Sequence, residues 1–419
     1  MLFHSAAHDS GMERKQMKQK WLRSATALLA AVLLAWYACP SVWRLLHLQD
    51  CVDADTSLSA PAIRATADGA RFVRESGDER LSLRTDRTET LRLFGVLPLR
   101  TVTVSTETKT VCAGGEAVGI VLKTQGVQIV GLGRVDTGDG SVWPAASAGL
   151  RAGDMILAVN GVPVSDAETF TAQCAAADGF CTLSCLRDGT PFSAELTPIK
   201  DRDGVVRIGA WVRDSTSGIG TLSFYDGNSG RFTALGHGVT DVDTQKLLSP
   251  ATGFLSKVTL SGVRTGGAEE AGELLGTFSS DQKDAIALVE MNTAYGIAGV
   301  LLSSISDGDP QVPIAQPASA HLGDAEIRST VDGEGVRTYR VRVIRVNVQS
   351  SPGIHGMMIE IVDPDLLART GGIVQGMSGS PLIQDGRLIG VVTHVFVGQP
   401  TRGYCLYAAW MLENLSPST

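Results

Sequence analysis

Glycine divides the second half of this sequence into short apolar segments. The chain has 47 glycines in 419 residues and only 5% aromatic residues. From residue 201 onward, short pieces such as IGAWVRD, GIGTLSFYD, RFTALGHG and RLIGVVTHVFV are separated by turn-forming residues. Because this pattern is typical of antiparallel strands joined by tight turns, we predict a mainly β chain with a barrel or sandwich in this half.

The chain begins with basic residues that precede an apolar stretch. Arg14, Lys15, Lys18 and Lys20 lie ahead of SATALLAAVLLAWYACPSV, which is close in length to one membrane span of about 20 residues. Positive charge on this side predicts that the N-terminus stays in the cytoplasm and the remainder is translocated. We predict an uncleaved single-pass anchor and an extracytoplasmic protein, with a cleaved, secreted form as the alternative.

A chain of 419 residues is too long for one ordinary hydrophobic core, so more than one domain is expected. Its composition predicts five segments. They are a cytoplasmic basic segment at 1–20, the transmembrane anchor or signal at 21–43, a polar linker at 44–106, a compact domain at 107–200 and a second domain at 201–419. The net charge of −8 argues against a nucleic-acid binder, which would carry a basic face.

The segment at 107–200 has the turns and the helix of a small compact domain. It has an Asn-Gly turn at 160–161, a helix predicted from 166 to about 176 and an Asp-Gly turn at 188–189. With the stretch AGLRAGDMILAVNGVPV, which is a specific match to the family, the segment resembles a PDZ domain. The resemblance implies that Val118, Gly119, Ile120 and Val121 form a carboxylate-binding loop beside a peptide groove. The alternative is that this loop only turns the chain.

The seven cysteines do not predict a disulfide scaffold or a zinc site. They are odd in number, and Cys181 and Cys185 have no second pair at zinc-ligand spacing. On a strand these two side chains lie on the same face, so we expect small buried apolar residues. A disulfide or redox role is the alternative.

The motif Gly376-Met-Ser378-Gly-Ser-Pro381 carries the clearest chemistry. A serine on a tight glycine-flanked turn can expose its hydroxyl, and the glycines let main-chain amides converge where an oxyanion would form. We predict Ser378 as a nucleophile and the amides of Gly376 and Ser378 as the oxyanion hole. This chemistry requires no metal or organic cofactor.

A serine nucleophile needs a base that takes its proton. The candidates in the translocated domains are His237, His321, His355 and His394. We favour His237 because the sequence ALGHGVTD brackets it with glycines after an apolar segment. His355, in the loop SPGIHGMM, is the main competitor, whereas His394 lies within VVTHVFV and is predicted to be structural.

The orienting acid stays open on spacing alone. Asp363 and Asp365 precede Ser378 closely, and Asp241 and Asp243 follow the favoured histidine. Asp363 or Asp365 would also suit the N-cap of the helix predicted at 364–370.

Four stretches of the second half are specific to one family: GIGTLSFYD, ALGHGVTDVD, NTAYGIAG and TGGIVQGMSGSPLIQDGRLIGVVTHVFV. Through them the chain resembles stage IV sporulation protein B, the SpoIVB-type serine peptidases of endospore-forming bacteria. It implies a catalytic triad of His237, Asp363 and Ser378 and a chymotrypsin-like double β-barrel. With that triad, Asp363→Asn is expected to lower activity by about four orders of magnitude, as the corresponding substitution does in chymotrypsin-type peptidases.

The resemblance also implies a role in sporulation signalling. Such peptidases are exported into the space between the forespore and mother-cell membranes and cleave themselves in trans near the N-terminus, here within 44–106. They then cut a membrane-bound regulatory protein, which leads to activation of a late sigma factor. The implied partners are protein substrates and the membrane, and no nucleic acid.

Two competing interpretations remain. A housekeeping protease of the high-temperature-requirement type would carry its PDZ domain after the protease and the motif GNSGGP. Here the order is reversed and the motif is GMSGSP. The other interpretation is a catalytically inactive PDZ scaffold that binds peptide termini.

Overall fold

A computed structural model describes the protein over the following residues: 51–53, 63–65, 71–75, 78–82, 88–93, 97–105, 109–241, 247–248, 250–267, 270–303, 308–347, 349 and 351–415. The predicted basic segment and anchor, 1–20 and 21–43, lie outside them. Within the described part, no helix has the length and apolar character needed to cross a membrane.

One compact unit comprises residues 1–107 with 348–350. Its described strands are β1 (Cys51–Asp53), β2 (Ile63–Ala65), β3 (Arg71–Glu75), β4 (Asp78–Ser82), β5 (Thr88–Leu93) and β6 (Leu97–Ser105). β5 and β6 form an antiparallel pair, extended by β1 beside β6 and β2 beside β5, while β3 pairs with β4. The polar linker predicted at 44–106 therefore contains paired strands.

The second unit holds the remaining described residues and contains both predicted domains. Its first strands and helices are β7 (Thr110–Ala113), β8 (Ala117–Leu132), β9 (Val135–Thr137), β10 (Gly140–Val142), α1 (Pro144–Ser147), β11 (Met155–Val159), β12 (Val162–Pro163), α2 (Ala167–Ala175), β13 (Cys181–Arg187), β14 (Thr190–Leu196), β15 (Ile199–Lys200), β16 (Val206–Arg207), β17 (Ala210–Tyr225) and β18 (Arg231–Ala234).

The chain continues with β19 (Pro250–Arg264), β20 (Glu273–Phe278), β21 (Ala285–Thr293), β22 (Gly296–Leu301), β23 (Gln311–Pro313), β24 (Gly323–Ser329), β25 (Arg337–Val346), β26 (Met357–Ile361), α3 (Pro364–Thr370), β27 (Pro381–Gln384), β28 (Arg387–Phe396) and β29 (Gln399–Tyr407). Short 3-10 helices occur at Gln282–Asp284, Pro317–Ser319 and Ala408–Leu415.

Two six-stranded barrels form the peptidase half. In the first, β8 pairs with β19, followed by β21, β22, β18 and β17, and β17 returns to β8. The second closes in the order β24, β25, β26, β29, β28 and β27. Each barrel encloses its own buried apolar cluster. This architecture agrees with the mainly β, double-barrel fold that the family resemblance implies.

The PDZ domain is built on the far halves of two barrel strands. β8 and β17 each run for 16 residues. Their peptidase halves pair at 117–123 with 215–221, and their PDZ halves pair at 128–132 with 210–213. The PDZ core consists of buried residues of β8, α1, β11, α2, β13 and β14, together with Leu150, Val164 and Ile208. The predicted boundary at residue 107 therefore falls too early, because residues 110–124 belong to the barrel sheet.

The local predictions within the PDZ domain hold. Asn160 and Asp188 have φ near +51°, each followed by a glycine with positive φ, as two-residue hairpin turns require. Helix α2 begins at the predicted place, with Asp166 as its N-cap. Cys181 and Cys185 are both buried on one face of β13, as expected.

The predicted carboxylate-binding loop is wrong. Val118, Gly119, Ile120 and Val121 lie inside β8, where they pair with β17 on one side and β19 on the other. All four residues are buried. Since both edges of this stretch are already hydrogen-bonded, it has no free main-chain groups for a peptide terminus. The prediction failed because the partner strands come from about a hundred residues later in the chain.

Candidate active site

The cleft between the two barrels brings Ser378 and His237 to one cavity. Ser378 lies between α3 and β27 of the second barrel, and His237 follows β18 of the first. The cavity has a volume of about 440 Å³. Its lining comprises Ile120, Leu122, Thr216, Ser217, Gly218, Ile219, Leu235, His237, Val239, Ala271, Ile373, Val374, Gln375, Gly376, Ser378, Thr393, His394, Val395 and Val397.

Two glycines shape the turn that carries Ser378. Gly376 and Gly379 have φ of +101° and +100°, a region that side chains disfavour. A Cβ at Gly379 would lie 2.2 Å from the carbonyl oxygen of Thr221, and one at Gly376 would lie 2.9 Å from the Leu274 side chain. The glycines therefore permit both the backbone conformation and the close approach of the first barrel.

Strand β17 fixes the turn by two hydrogen bonds from one residue. The Thr221 amide donates to the Ser378 carbonyl at 3.0 Å, and the Thr221 hydroxyl donates to the Gly376 carbonyl at 2.7 Å. On the other side, the Gly379 amide donates to the Val392 carbonyl at 2.7 Å. The nucleophile turn is thus tied to both barrels.

The same turn leaves two amides available. The amides of Gln375 and Met377 each donate to a carbonyl, to Gly272 and Val374 respectively. Among the hydrogen bonds of the described residues, none is donated by the amide of Gly376 or of Ser378. These are the two amides predicted for the oxyanion hole, and unpaired N–H groups beside a nucleophile are what such a hole requires.

The Ser378 hydroxyl donates to the Thr393 carbonyl at 2.8 Å. Within the described contacts it makes no hydrogen bond to His237. The nucleophile therefore has to rotate away from Thr393 before a base can take its proton.

His237 is held in a form suited to a general base. Leu235 and Gly236, both with φ of +71°, turn the chain sharply ahead of it. Its Nδ1 lies 3.0 Å from the Gly238 carbonyl oxygen, which can only accept, so Nδ1 carries the proton and Nε2 remains an acceptor. Burial lowers the pKa of His237 below its usual 6.5, which keeps the ring neutral near pH 7.

Two further histidines extend from His237 toward the surface. The ring of His394 lies 5.1 Å from that of His237, and His355 lies 6.1 Å from His394 and 4.1 Å from Tyr404, centroid to centroid. Burial and the neighbouring imidazoles lower the pKa of His394. His394, predicted to be structural, instead lines the cavity, because the end of β28 projects beyond its partner β27. No local signal in the sequence distinguishes it from a structural histidine, because it lies within the apolar segment VVTHVFV.

Asp363 lies outside the cavity lining. Its carboxylate caps α3, accepting from the amides of Asp365 and Leu366, and it also accepts from the Arg340 amide at 3.2 Å. The Arg340 guanidinium is 3.8 Å away. The structure therefore brings together two of the three predicted triad residues, and in this conformation it places Asp363 at the start of the helix that leads to the nucleophile turn.

Neither Asp241 nor Asp365, two of the alternative acids, forms a hydrogen bond with His237. Asp241 is 1% exposed and pairs with Arg213 at 3.0 Å, and Asp365 is an exposed residue of the first turn of α3. Asp243 lies outside the described residues. In the described part of the chain, no group of three or more His, Cys, Asp or Glu side chains is placed to hold a metal.

Comparison with known families identifies both domains. Residues 204–412 match the family described as SpoIVB peptidase S55, and residues 143–176 match the PDZ domain. The first match spans the segment that holds His237, Asp363 and Ser378 and supports a serine peptidase role in sporulation. No curated protein matches the chain. Taken together with the two barrels and the inserted PDZ core, these matches show that the chain belongs to the SpoIVB-type peptidases, with a PDZ domain joined to an S55 peptidase domain.

Proposed function

We propose that the protein is a serine endopeptidase in which Ser378 is the nucleophile and His237 the base. The observation that carries this proposal is the convergence, in one cavity, of a serine on a glycine turn, a neutral histidine and two unpaired amides. Each group has a distinct task in acyl transfer, and none of them needs a cofactor.

The reaction begins when the Ser378 hydroxyl leaves the Thr393 carbonyl and turns toward His237. Nε2 of His237 accepts the proton while Oγ attacks the peptide carbonyl carbon. The amides of Gly376 and Ser378 stabilise the negative charge that develops on the carbonyl oxygen. The protonated ring then donates its proton to the leaving amine, and a water molecule hydrolyses the acyl-enzyme by the same steps in reverse.

In this scheme the Gly238 carbonyl holds the tautomer of His237, a task that a carboxylate often performs. The triad role that the family resemblance gives Asp363 requires its carboxylate to leave the cap of α3 and reach His237. We favour a positioning role, because α3 ends at Thr370, only three residues before the cavity wall begins at Ile373.

For the biological role, we propose the one that the family resemblance implies. The peptidase is anchored in the membrane, acts in the space between the forespore and mother-cell membranes, and cleaves itself in trans within 44–106. It then cuts a membrane-bound regulator that leads to activation of a late sigma factor. The S55 match supports the sporulation context.

Labelling with a fluorophosphonate probe tests the chemistry directly. We expect the full-length wild type to become labelled and to release a shortened form, whereas Ser378→Ala does neither and keeps the far-UV circular dichroism of the wild type. N-terminal sequencing of the shortened form then locates the self-cleavage site. If folded wild type and Ser378→Ala label equally or not at all, the labelling does not depend on Ser378, which contradicts the proposal; the absence of any labelling favours an inactive scaffold.

A further inference from the structure

Among the residues that the structure describes, the cavity beside Ser378 has no charged lining, although peptide substrates often carry charge. Resting on the proposed function, we propose that the enzyme cleaves extended, uncharged segments and accepts an apolar side chain in this cavity. The substrate class is therefore an exposed apolar stretch of polypeptide, entering as a strand between the two barrels.

The lining residues define the chemistry of the accepted side chain. None of them is Asp, Glu, Lys or Arg, and most are aliphatic. The aliphatic wall includes Ile120 and Leu122 from β8, Ile373 and Val374 ahead of the nucleophile turn, and Val395 from β28. A charged side chain placed here would lose its hydration without an opposite charge to compensate, so charged residues are rejected.

The floor of this cavity is rigid rather than adaptable. Ile120, Leu122, Ile373 and Val374 are each at most 5% exposed and belong to the barrel cores. The Gln375 amide donates to the Gly272 carbonyl at 2.7 Å, which ties the cavity wall to the strand region before β20. Because these residues are packed from behind, the cavity keeps its apolar shape when empty.

Two strand edges face this cavity and suit an extended peptide. At Thr216–Ile219, β17 pairs with β8 on one side, and no strand among the described residues pairs with its other side. From Thr393 onward, β28 keeps β29 as a partner but has passed the end of its pairing with β27. An extended chain can add to such an edge by main-chain hydrogen bonds, which are independent of its sequence.

The Thr393 carbonyl connects strand addition to the nucleophile. It currently accepts the Ser378 hydroxyl. A substrate N–H that binds this carbonyl displaces the hydroxyl, which then turns toward His237. Apolar side chains give specificity in this scheme, and the backbone of the substrate releases the nucleophile.

A peptide library distinguishes this specificity from the function on which it rests. Full-length protein and Ser378→Ala are incubated with a mixture of unfolded peptides, and the cleaved bonds are identified by mass spectrometry. We expect Ser378-dependent cleavage next to aliphatic or aromatic residues, with kcat/KM at least about tenfold above matched peptides carrying Lys or Glu there. Cleavage that depends on Ser378 but favours charged residues would overturn the substrate class and leave the peptidase function standing. Absence of Ser378-dependent cleavage overturns both.

Two variants at Ile219, a half-buried residue of the cavity wall, show whether the cavity itself selects. Ile219→Asp introduces a carboxylate. Ile219→Asn is the matched control, because its side chain has the size and shape of Asp but carries no charge. We expect Ile219→Asp alone to raise kcat/KM for Lys and Arg relative to Leu by about tenfold. Val397→Asp, at a rim position that is 61% exposed, gives the same test with little risk to folding. If neither aspartate changes the profile while probe labelling persists, the cavity does not bind the selected side chain.

Discussion

The nucleophile turn and the start of α3 are neighbours in the chain, yet they use their key residues in opposite ways. Among the described residues, the amides of Gly376 and Ser378 have no hydrogen-bond partner, and both residues line the cavity. At the start of α3, the Asp363 carboxylate accepts hydrogen bonds from three amides, and Asp363 is not part of the cavity lining. Main-chain amides without hydrogen-bond partners therefore mark the reactive surface, whereas a fully hydrogen-bonded carboxylate stabilises the start of a helix.

We expect the largest loss of activity from a substitution that fills the space between the Ser378 turn and β17. Gly379→Ala places a methyl group 2.2 Å from the Thr221 carbonyl, so the turn has to shift away from β17. We expect kcat/KM to fall at least about 100-fold, since small misplacements of reacting groups cost that much. Gly386→Ala is the control, because its φ is also positive but nothing lies within 4 Å of the added carbon. Equal activity in the two variants would contradict the geometry of the turn.

Substitutions of Asp363 test whether its carboxylate is an N-cap or a member of the catalytic triad. As an N-cap, Asn or Ser serves nearly as well as Asp, so Asp363→Asn and Asp363→Ser should keep kcat/KM within about tenfold of wild type. Asp363→Ala should lower the free energy of unfolding by about 1 kcal/mol, measured by denaturant titration. A loss of about four orders of magnitude in Asp363→Asn, with unchanged stability, would instead restore the triad role that the family resemblance implies.

The protonation of His237 gives a smaller effect, visible as a pH profile. A protonated ring cannot accept the serine proton, so activity falls as pH drops through the pKa of His237. Burial lowers this pKa, and we therefore expect the acid limb of kcat/KM to have its midpoint below pH 6.5. The rate of fluorophosphonate labelling should follow the same limb. A midpoint above 7 would mean that another group, or a carboxylate near the ring, controls the reaction.

We expect the smallest effect from substitution of Glu116, a carboxyl group that is largely buried. Its Oε2 is buried without a partner, and burial, followed by the charge of Asp309, raises its pKa to about 7. Because its pKa is raised, the protonated form of Glu116 is favoured in the folded state. Its contribution to the stability of the folded protein is therefore fully present below pH 4.5 and is lost as pH rises through 7. Glu116→Gln should therefore raise Tm by roughly 2–4 °C at pH 8, about 1 kcal/mol, and by less at pH 4. An equal shift at both pH values would contradict this.

Much of the fold and part of the site could be predicted because their signals are local. The Asn-Gly and Asp-Gly turns, the helix beginning at Asp166 and the glycines around Ser378 each specify their own backbone conformation. The assignment of Asp363 as an N-cap, left open by the sequence, depends on the residues that directly follow it.

The failures involve distant partners. Residues 118–121 were predicted as a loop, but their neighbours at 217–220 and 254–257 make them a central strand. His394 lies within the apolar segment VVTHVFV, and only the end of the β27 pairing shows that it borders the cavity. Neither pairing leaves a local trace in the sequence.

The long shared strands β8 and β17 make the PDZ domain an insertion within the first barrel rather than a module ahead of it. Leu132 lies opposite Ala210, so the chain departs and returns at adjacent points, and a tight turn could replace everything between them. A force or ligand that pulls on the inserted domain acts on β17, whose residue Thr221 holds the Ser378 turn. Mechanical tension on the PDZ domain would therefore reach the nucleophile along a single strand.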